Sequence, residues 1–278
     1  MADASGFRLP DGLAERARDI SEGRVEAAVP RDASTVILLR DSPAGLLVYL
    51  LRRVSSMKFA PGAHVFPGGS VDRRDGDVTI GWAGPSPAEW GGAFGATETL
   101  ARELVCAAVR ETFEESGVLL AGPAEDTIVP DTSADEWEAD REALLDRSLS
   151  LAELLARRGL VLRGDLLRPW AHWITPEIEK RRYDTRFFVA ALPEGQRTRD
   201  VSTESDRVVW IRPADAAEAA RRGDMSMLPP TLVTLTELAQ YDSVSAVLAA
   251  RRTIKPLVPT ARVIDGGVYL VMPEGVTL

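Results

Sequence analysis

Apolar and polar positions divide the chain into strand-like and helix-like segments, which differ in their repeat along the sequence. Residues 34–40 and 45–53 are β-rich runs joined by a short polar turn, which predicts a hairpin. Further β-rich runs occupy 118–121, 166–175, 184–192 and 207–212. Helical stretches occupy 97–117, 134–158 (in two pieces), 213–222 and 229–251 (one or two helices), and a hairpin is predicted over 261–272.

This pattern predicts three parts along the chain. Residues 1–30 are polar and form an arm with a short helix at 13–20, residues 31–225 form the main domain, and residues 226–278 form an extension packed on it. Within the main domain, residues 72–97 show little periodicity and contain Trp82 and Trp90. We interpret them as a loop that covers the edge of a site, or as a plain surface elaboration.

Composition and charge narrow the class of protein. The chain has 278 residues, 45% of them hydrophobic, and a formal charge of −9, which argues against a general nucleic-acid binder. No stretch has the features of a signal peptide or is long and apolar enough to span a membrane, and the single cysteine, Cys106, excludes an intrachain disulfide, so we expect a cytoplasmic protein. Three lysines accompany thirty arginines, which indicates a bacterial genome rich in G+C.

The helix predicted at 97–117 carries the strongest chemical pattern. At about 100° per residue, Glu111, Glu114 and Glu115 share one face, whereas Cys106 and Phe113 lie on the opposite, apolar face. Such an acidic face is often only solvated surface, and like charges at this spacing destabilise a helix. Grouped carboxylates are also the ligands that Mg²⁺ prefers.

The surrounding residues resemble the Nudix box. Arg110, Glu111, Glu114, Glu115, Gly117 and Val118 match its second half, and Phe66-Pro67-Gly68-Gly69 is similar to the start of its first half. Gly69 and Arg110 are 41 positions apart, which implies an insertion of about 27 residues. The middle Glu of the box has no clear counterpart, because Arg102 stands eight residues before Arg110 and the nearest carboxylates are Glu98 and Glu103.

A second motif resembles the coenzyme A diphosphatase branch of the Nudix family. Arg53, Lys58, Gly62 and Phe66-Pro67-Gly68-Gly69-Ser70-Val71-Asp72 match its signature at the same offsets. Trp173-Ile174-Thr175-Pro176 and Arg182-Tyr183-Asp184-Thr185 are similar to segments of the same branch. The resemblance implies that Arg53, Lys58, Arg182 and Tyr183 contact the substrate, although charged strand ends and hairpins are also common on plain surfaces.

The resemblance implies the fold and a set of roles. We expect an α/β/α sandwich with a mixed sheet, in which Glu111 and Glu115 hold Mg²⁺ or Mn²⁺, Glu114 assists, and the Gly69 carbonyl is a backbone ligand. Arg110 would orient a box carboxylate. Glu204, just before the strand that contains Trp210, would be a further metal ligand or the catalytic base, with Glu98, Glu103 and Asp184 as alternatives.

The implied reaction is hydrolysis of a diphosphate bond in a small nucleotide-type substrate. Coenzyme A or an acyl-coenzyme A is the expected substrate, and ADP-ribose, nucleotide sugars and dinucleoside polyphosphates are the alternatives within enzymes. A non-catalytic ligand-binding or regulatory module of the same fold is the alternative from another class. The resemblance also implies a homodimer, whereas neither a nucleic acid nor a membrane is expected as a partner.

Overall fold

The computed structural model of the protein describes residues 7–57, 60–200 and 205–276. Its helices are α1 (Asp11–Ser21), α2 (Pro87–Phe94), α3 (Glu98–Ser116), α4 (Asp135–Leu145), α5 (Leu151–Arg158), α6 (Pro213–Arg221), α7 (Pro229–Leu238) and α8 (Val244–Ala249). Its strands are β1 (Phe7–Arg8), β2 (Arg31–Ser42), β3 (Gly45–Arg53), β4 (His64–Val65), β5 (Gly68–Ser70), β6 (Trp82–Ala83), β7 (Ala121–Gly122), β8 (Val161–Arg163), β9 (Leu167–Ile174), β10 (Tyr183–Ala191), β11 (Ser205–Ile211), β12 (Pro256–Leu257), β13 (Thr260–Ile264) and β14 (Gly267–Val271).

A mixed sheet forms the centre of the molecule. Its strands follow the order β11-β3-β2-β10-β9-β12, with β4 added beside β3 and β5 beside β2. The β2–β10 and β9–β12 pairs are parallel and the other pairs are antiparallel. The predicted hairpin of β2 and β3 is present, and Ser42 pairs with Gly45 next to its turn.

Helices cover both faces of this sheet. On one face, Val36 and Leu38 of β2 pack in a cluster with α2 and α3. On the other face, Ile37 and Leu39 pack in a second cluster with α6, α7 and α8. The alternation along a single strand therefore separates two buried cores, and the predicted α/β/α sandwich is confirmed.

Helix α3 forms where its sequence predicts a helix. The Thr97 side chain accepts a hydrogen bond from the Leu100 amide at 3.2 Å and caps the N-terminus. Gly117, with φ of 73°, ends the helix in the left-handed conformation. Cys106 and Phe113 are fully buried, as the apolar face predicts. The carboxylate face of the helix is therefore held in a fixed orientation by the core on its other side.

The segment interpreted as a loop at 72–97 contains regular structure, so that prediction was wrong in part. A 3-10 turn spans Arg73–Gly76, and α2 begins in a capping box between Ser86 and Glu89. Trp90 is buried and stacks on Phe94, and both rings contact Phe188 of β10. Strong capping and aromatic packing give this short stretch a helix that its hydrophobic periodicity does not show. The strand predicted at 118–121 is also displaced, to Ala121–Gly122.

The N-terminal arm and the C-terminal extension pack together. Strands β1, β14 and β13 form a small antiparallel sheet, in which Phe7 pairs with Leu270. A third apolar cluster joins Leu9 and Ala14 of the arm to Val268 of β14 and to Ile178 of the β9–β10 connection. Among the described residues, no helix combines the length and the apolar character needed to cross a membrane.

Candidate active site

The Gly68-Gly69 pair lies directly against the carboxylates of α3. The Gly68 amide donates a hydrogen bond to Glu115 Oε2 at 2.8 Å. A Cβ atom on Gly69 would lie 2.5 Å from the carboxylate carbon of Glu111, so no larger residue fits there without displacing that carboxylate. Strand β5 holds the pair in place by antiparallel pairing with β2, with Gly68 opposite Thr35. Gly69 is therefore explained by the close approach of the Glu111 carboxylate, whereas a Cβ on Gly68 would lie 2.4 Å from the Ser34 carbonyl oxygen of β2.

Arg110 is buried at the centre of the carboxylate group. Its Nη1 donates to Glu111 Oε1 at 2.7 Å and to Glu114 Oε1 at 3.2 Å. Its Nε and Nη2 donate to the two Asp75 oxygens at 3.0 and 2.9 Å, and Nη2 also reaches the Ser70 carbonyl at 2.9 Å. The expected pairing with box carboxylates is thus present, and the guanidinium donors are directed at protein oxygens.

Asp75 is the carboxylate that the sequence analysis missed. It is 1% exposed and lies in the 3-10 turn that follows β5. Five residues separate it from Gly69, which is the spacing of the middle Glu in the Nudix box. Counting forward from Gly69 would have found it, whereas counting back from Arg110 crosses the insertion. From this spacing we infer that the insertion starts after Asp75, instead of at about residue 72 as expected from the sequence.

Glu103, one of the carboxylates considered for that place, lies elsewhere. Its side chain faces Gly76, where an added Cβ would lie 3.1 Å from Glu103 Oε1. Burial raises the pKa of Glu103, and the charges of Asp32 and Asp75 raise it further. Glu103 therefore lies next to the group of box carboxylates, in the first half of α3.

Burial dominates the electrostatics of the site. It raises the pKa of Glu111 to about 7 and also raises the pKa of Glu114, although the charge of Arg110 opposes both shifts. Burial would lower the pKa of Arg110, but the surrounding carboxylates raise it well above its ordinary value. The guanidinium is therefore a permanent charge, whereas the carboxylates would gain from a further cation nearby.

The donor chemistry suits a hard divalent cation. Glu111 and Glu115 both converge on the Gly68-Gly69 backbone, and all of these groups offer oxygen ligands. Within the described ranges, no three Asp, Glu, His or Cys side chains are already arranged around a common point as a metal site. Glu114 is engaged with Arg110, so a cation would have to compete with that ion pair for Glu114.

These carboxylates line a cavity of about 780 Å³. Its charged lining residues are Arg53, Asp72, Arg74, Arg110, Glu111, Glu114, Glu115, Arg147, Glu179 and Arg181. Its apolar lining residues include Met57, Phe66, Leu145, Trp173, Ile174, Phe187, Leu228, Pro229, Pro230, Pro259 and Leu270. A volume of this size is in the usual range for small-molecule sites and exceeds what a diphosphate alone would fill.

The structure brings some of the predicted substrate contacts to this cavity. Arg53 and Tyr183 line it. Arg182 instead donates hydrogen bonds to the carbonyls of Thr175 and Ala28, at 2.9 and 2.7 Å, and thereby ties the β9–β10 connection to the arm. Its neighbour Arg181 lines the cavity. Lys58 and Glu204 lie outside the residues that the structure describes.

Two further arginines of the cavity have no counterpart in the sequence analysis. Arg74 binds Asp72 at 3.1 Å and donates to the Arg147 carbonyl at 3.0 Å. Arg147 follows α4 with φ of 66°, and its side chain is 75% exposed, with a guanidinium nitrogen 3.8 Å from Asp72. No local pattern marks either residue among thirty arginines, because their position depends on how the insertion and α4 fold.

The contacts of the two histidines indicate structural roles. His172 Nε2 hydrogen-bonds to Asp184, which also pairs with Arg186 at 2.8 Å. Burial opposes ionisation of Asp184, but the His172 hydrogen bond and the Arg186 charge keep its pKa below the ordinary value. His64 is buried in β4, where desolvation lowers its pKa. Asp184 is engaged in this cluster and does not line the cavity with the box carboxylates.

A helix-flanked mixed sheet with a Gly-Gly strand against a Glu-rich helix defines the Nudix fold. The family model described as the NUDT19 Nudix domain matches residues 96–238, about half of the chain. The chain therefore belongs to this family, whose members are Nudix hydrolases acting on phosphoric anhydride bonds and generally using divalent metal ions.

The known proteins to which the chain is similar support this family assignment. The chain is 28% identical over 272 residues to the acyl-coenzyme A diphosphatase NUDT19 of Gallus gallus, covering 77% of this chain and 69% of that protein. It is 29% identical to the Homo sapiens protein of the same name, covering 74% of this chain and 64% of that protein. Among solved structures, a NUDIX hydrolase from Alicyclobacillus acidocaldarius superposes with a TM-score of 0.67 and 25% identity, covering 81% of this chain and 98% of that one.

Proposed function

We propose that this protein hydrolyses the diphosphate bond of coenzyme A or an acyl-coenzyme A. The products would be adenosine 3′,5′-bisphosphate and phosphopantetheine or its acyl form. The observation that carries the proposal is the shared cavity of Arg53, from the coenzyme A signature, and the Glu111–Glu115 carboxylates. The similarity to proteins named acyl-coenzyme A diphosphatase supports the choice of substrate.

In this proposal Glu111 and Glu115 hold Mg²⁺ or Mn²⁺, with Glu114 and the Gly69 carbonyl as further ligands. When bound, such an ion polarises a phosphoryl oxygen and lowers the pKa of a coordinated water. Arg110 keeps Glu111 and Glu114 in place through hydrogen bonds from Nη1 to both carboxylates. Its role is to position these carboxylates, because its remaining donors are directed at Asp75 and Ser70.

The substrate phosphates would be bound by cations that line the cavity. Arg53, Arg74, Arg147 and Arg181 all line the cavity and offset its carboxylates. Tyr183 lines the same cavity and is proposed to contact the substrate. Lys58 keeps its proposed phosphate contact on the resemblance alone.

Glu204 remains the proposed catalytic base. Its described neighbours border the site, since Ser205 pairs with Arg53 at the start of β11. On the other side of Glu204, the Tyr49 hydroxyl donates a hydrogen bond to the Arg199 carbonyl at 3.3 Å. The pairing of Ser205 with Arg53, which lines the cavity, supports the proposed role of Glu204. We also propose a homodimer in a bacterial cytoplasm, with no nucleic acid as partner.

Hydrolysis of coenzyme A with and without Mg²⁺ or Mn²⁺ tests the proposed function. Release of adenosine 3′,5′-bisphosphate should require the metal and should be abolished in Glu115→Gln. Glu142→Gln, an exposed carboxylate on α4, is the control and should retain full activity. Turnover of ADP-ribose, nucleotide sugars or dinucleoside polyphosphates with coenzyme A untouched would contradict the substrate. Binding without turnover of any of these compounds would favour the ligand-binding module instead.

A further inference from the structure

Two of the proposed metal-site carboxylates, Glu114 and Glu115, lie in the last turn of α3, which ends at Ser116. This turn contains no basic residue of its own. The last carbonyls of a helix have no partner within it, so helix ends fray, and the helix dipole disfavours negative charge at the C-terminus. The position of both carboxylates therefore depends on the groups that bind the end of the helix.

Two arginines from other parts of the chain meet this end of α3. Arg141 of α4 donates a hydrogen bond from Nη1 to the Glu114 carbonyl at 2.8 Å, and its side chain is only 3% exposed. Arg199, in the β10–β11 connection, donates its backbone amide to the Ser116 carbonyl at 2.9 Å. Its guanidinium lies against Gly117, where an added Cβ would be 2.8 Å from Arg199 Nε. Tertiary structure therefore supplies the cations that the helix sequence lacks.

Glu138 of α4 joins these two arginines. Arg141 Nε donates to Glu138 Oε1 and Oε2 at 3.2 and 3.1 Å, and Arg199 Nη1 lies 3.0 Å from Glu138 Oε2. The hydrogen bonds from Arg141 lower the pKa of Glu138 below its ordinary value, although burial opposes the shift. A single carboxylate thus holds both guanidinium groups at the end of α3.

Arg199 also connects this arrangement to the segment that leads to Glu204. It stands five positions before Glu204 in the chain. Its carbonyl accepts a hydrogen bond from the Tyr49 hydroxyl of β3 at 3.3 Å, while its amide binds the end of α3. The ion pair of Arg199 with Glu138 therefore helps to fix where this segment leaves the carboxylate helix.

We propose that Glu138 is a positioning residue of the active site, which fixes the last turn of α3 through Arg141 and Arg199. Glu138 is not among the described residues that line the cavity, so it acts through the helix and not on the substrate. The inference rests on the proposed function, because it takes the carboxylates of this turn as metal ligands. Without the Glu138 charge, the two guanidinium groups repel each other with no shared partner, and the turn is held less firmly.

Glu138→Gln tests this role because it removes the charge and keeps the size of the side chain. Glu237→Gln is the matched control. Glu237 of α7 pairs with Arg252 at 2.9 Å, and its side chain is 34% exposed, compared with 30% for Glu138. Helix α7 packs on the opposite face of the sheet from α3. Unfolding in urea verifies that both variants are folded under the assay conditions.

The first measurement is Mn²⁺ binding to the free protein, followed by the electron paramagnetic resonance signal of unbound Mn²⁺. We expect the dissociation constant to rise about tenfold in Glu138→Gln and to stay unchanged in Glu237→Gln, since residues that orient metal ligands affect metal affinity on this scale. A merely structural role would lower the folded fraction and leave the affinity of the folded protein unchanged. An unchanged Mn²⁺ affinity in Glu138→Gln would overturn the inference.

Hydrolysis of coenzyme A at saturating Mn²⁺ gives the second readout. In Glu138→Gln we expect kcat to fall by about tenfold with KM unchanged, because the arginines that line the cavity are not altered. A raised KM with full kcat would overturn the positioning role. Loss of Mn²⁺ affinity in Glu138→Gln, with no turnover of any diphosphate by the parent, would support that role and overturn the hydrolase proposal. A parent protein that binds no Mn²⁺ would overturn the proposed metal site and the inference with it.

Discussion

Arg110 and Asp75 are joined by two hydrogen bonds, from Nε to Oδ1 at 3.0 Å and from Nη2 to Oδ2 at 2.9 Å, across 35 positions of sequence. This bidentate pair reconnects the two halves of a box that an insertion of about 27 residues divides. The insertion leaves the site intact because its ends meet at this ion pair and at the packing of α2 on α3.

Removal of the Asp75 carboxylate should destabilise the fold. Asp75→Ala leaves part of a buried guanidinium without partners, although Glu111 and Glu114 still contact it. We expect the free energy of unfolding in urea to fall by about 2–3 kcal/mol. Asp126→Ala, at an exposed carboxylate, should change it by less than about 0.5 kcal/mol. An Asp75→Ala protein as stable as the parent would show that the ion pair is not required.

Gly69 should tolerate no side chain without loss of activity. In Gly69→Ala the new methyl group displaces the Glu111 carboxylate, and we expect hydrolysis to fall by about a hundredfold or more, on the scale of a 1 Å misplacement of a reacting group. Gly92→Ala is the control, because a Cβ there meets no atom within 4 Å and lies on helix α2. The control should gain up to about 1 kcal/mol of stability with full activity. Full activity of Gly69→Ala would contradict the proposed role of Glu111.

Replacing Arg147 by glycine should stabilise the fold and lower the activity. Its left-handed backbone conformation is unfavourable for a side chain, so Arg147→Gly should stabilise the fold by about 1 kcal/mol. The same change removes a cation from the cavity lining and should lower kcat/KM for coenzyme A by about tenfold. Arg73→Ala, at an exposed arginine outside that cavity, should leave activity unchanged. An Arg147→Gly enzyme with full activity would remove Arg147 from the phosphate-binding group.

Asp72 should contribute to the acid dependence of stability. Hydrogen bonds from Arg74 lower the pKa of Asp72 from 3.8 to about 2. A carboxyl group with a depressed pKa in the folded state stabilises the protein above its unfolded pKa, and this contribution is lost as the pH falls through about 2. The difference in unfolding free energy between the parent and Asp72→Asn should be about 1 kcal/mol above pH 4, after solvent screening, and should vanish near pH 2. A difference that is the same at pH 2 and pH 6 would contradict this assignment.

Cys106 should react with thiol reagents only after unfolding. It is fully buried on the apolar face of α3, and burial raises the pKa of its thiol. Its reaction with a disulfide reagent at pH 8 should therefore proceed at the rate of unfolding. In Ala88→Cys, the new thiol at an exposed position of α2 should react at once. Immediate modification of Cys106 in the folded protein would contradict the core assignment.

The parts of the site that the sequence predicted correctly depend on residues close together in the chain. The helical spacing of Glu111 and Glu115, the buried Cys106 face and the Gly117 cap are properties of a single helix, so its sequence contains them. The place of Gly68-Gly69 beside the box carboxylates followed from a contiguous motif. Each of these features depends on residues within about one or two helical turns of one another.

The missed part depends on tertiary packing. Asp75 reaches Arg110 only because the insertion folds back on α3, and the sequence distance between them concealed the pair. Arg182 resembled a substrate contact, but two backbone carbonyls bind its guanidinium. Arg147 lines the cavity through the placement of α4. None of these positions can be read from a local period.

The pairing of β1 with β14 has a consequence for synthesis on the ribosome. Phe7 is synthesised about 260 residues before Leu270, its partner in the sheet. The central strands from β2 to β11 and the carboxylate helix are synthesised well before that, yet Leu270, which lines the cavity, is not. The nascent chain can thus bury its main cores while its catalytic cavity is still open on one side. We expect the cavity lining to be completed only after β14 has been synthesised.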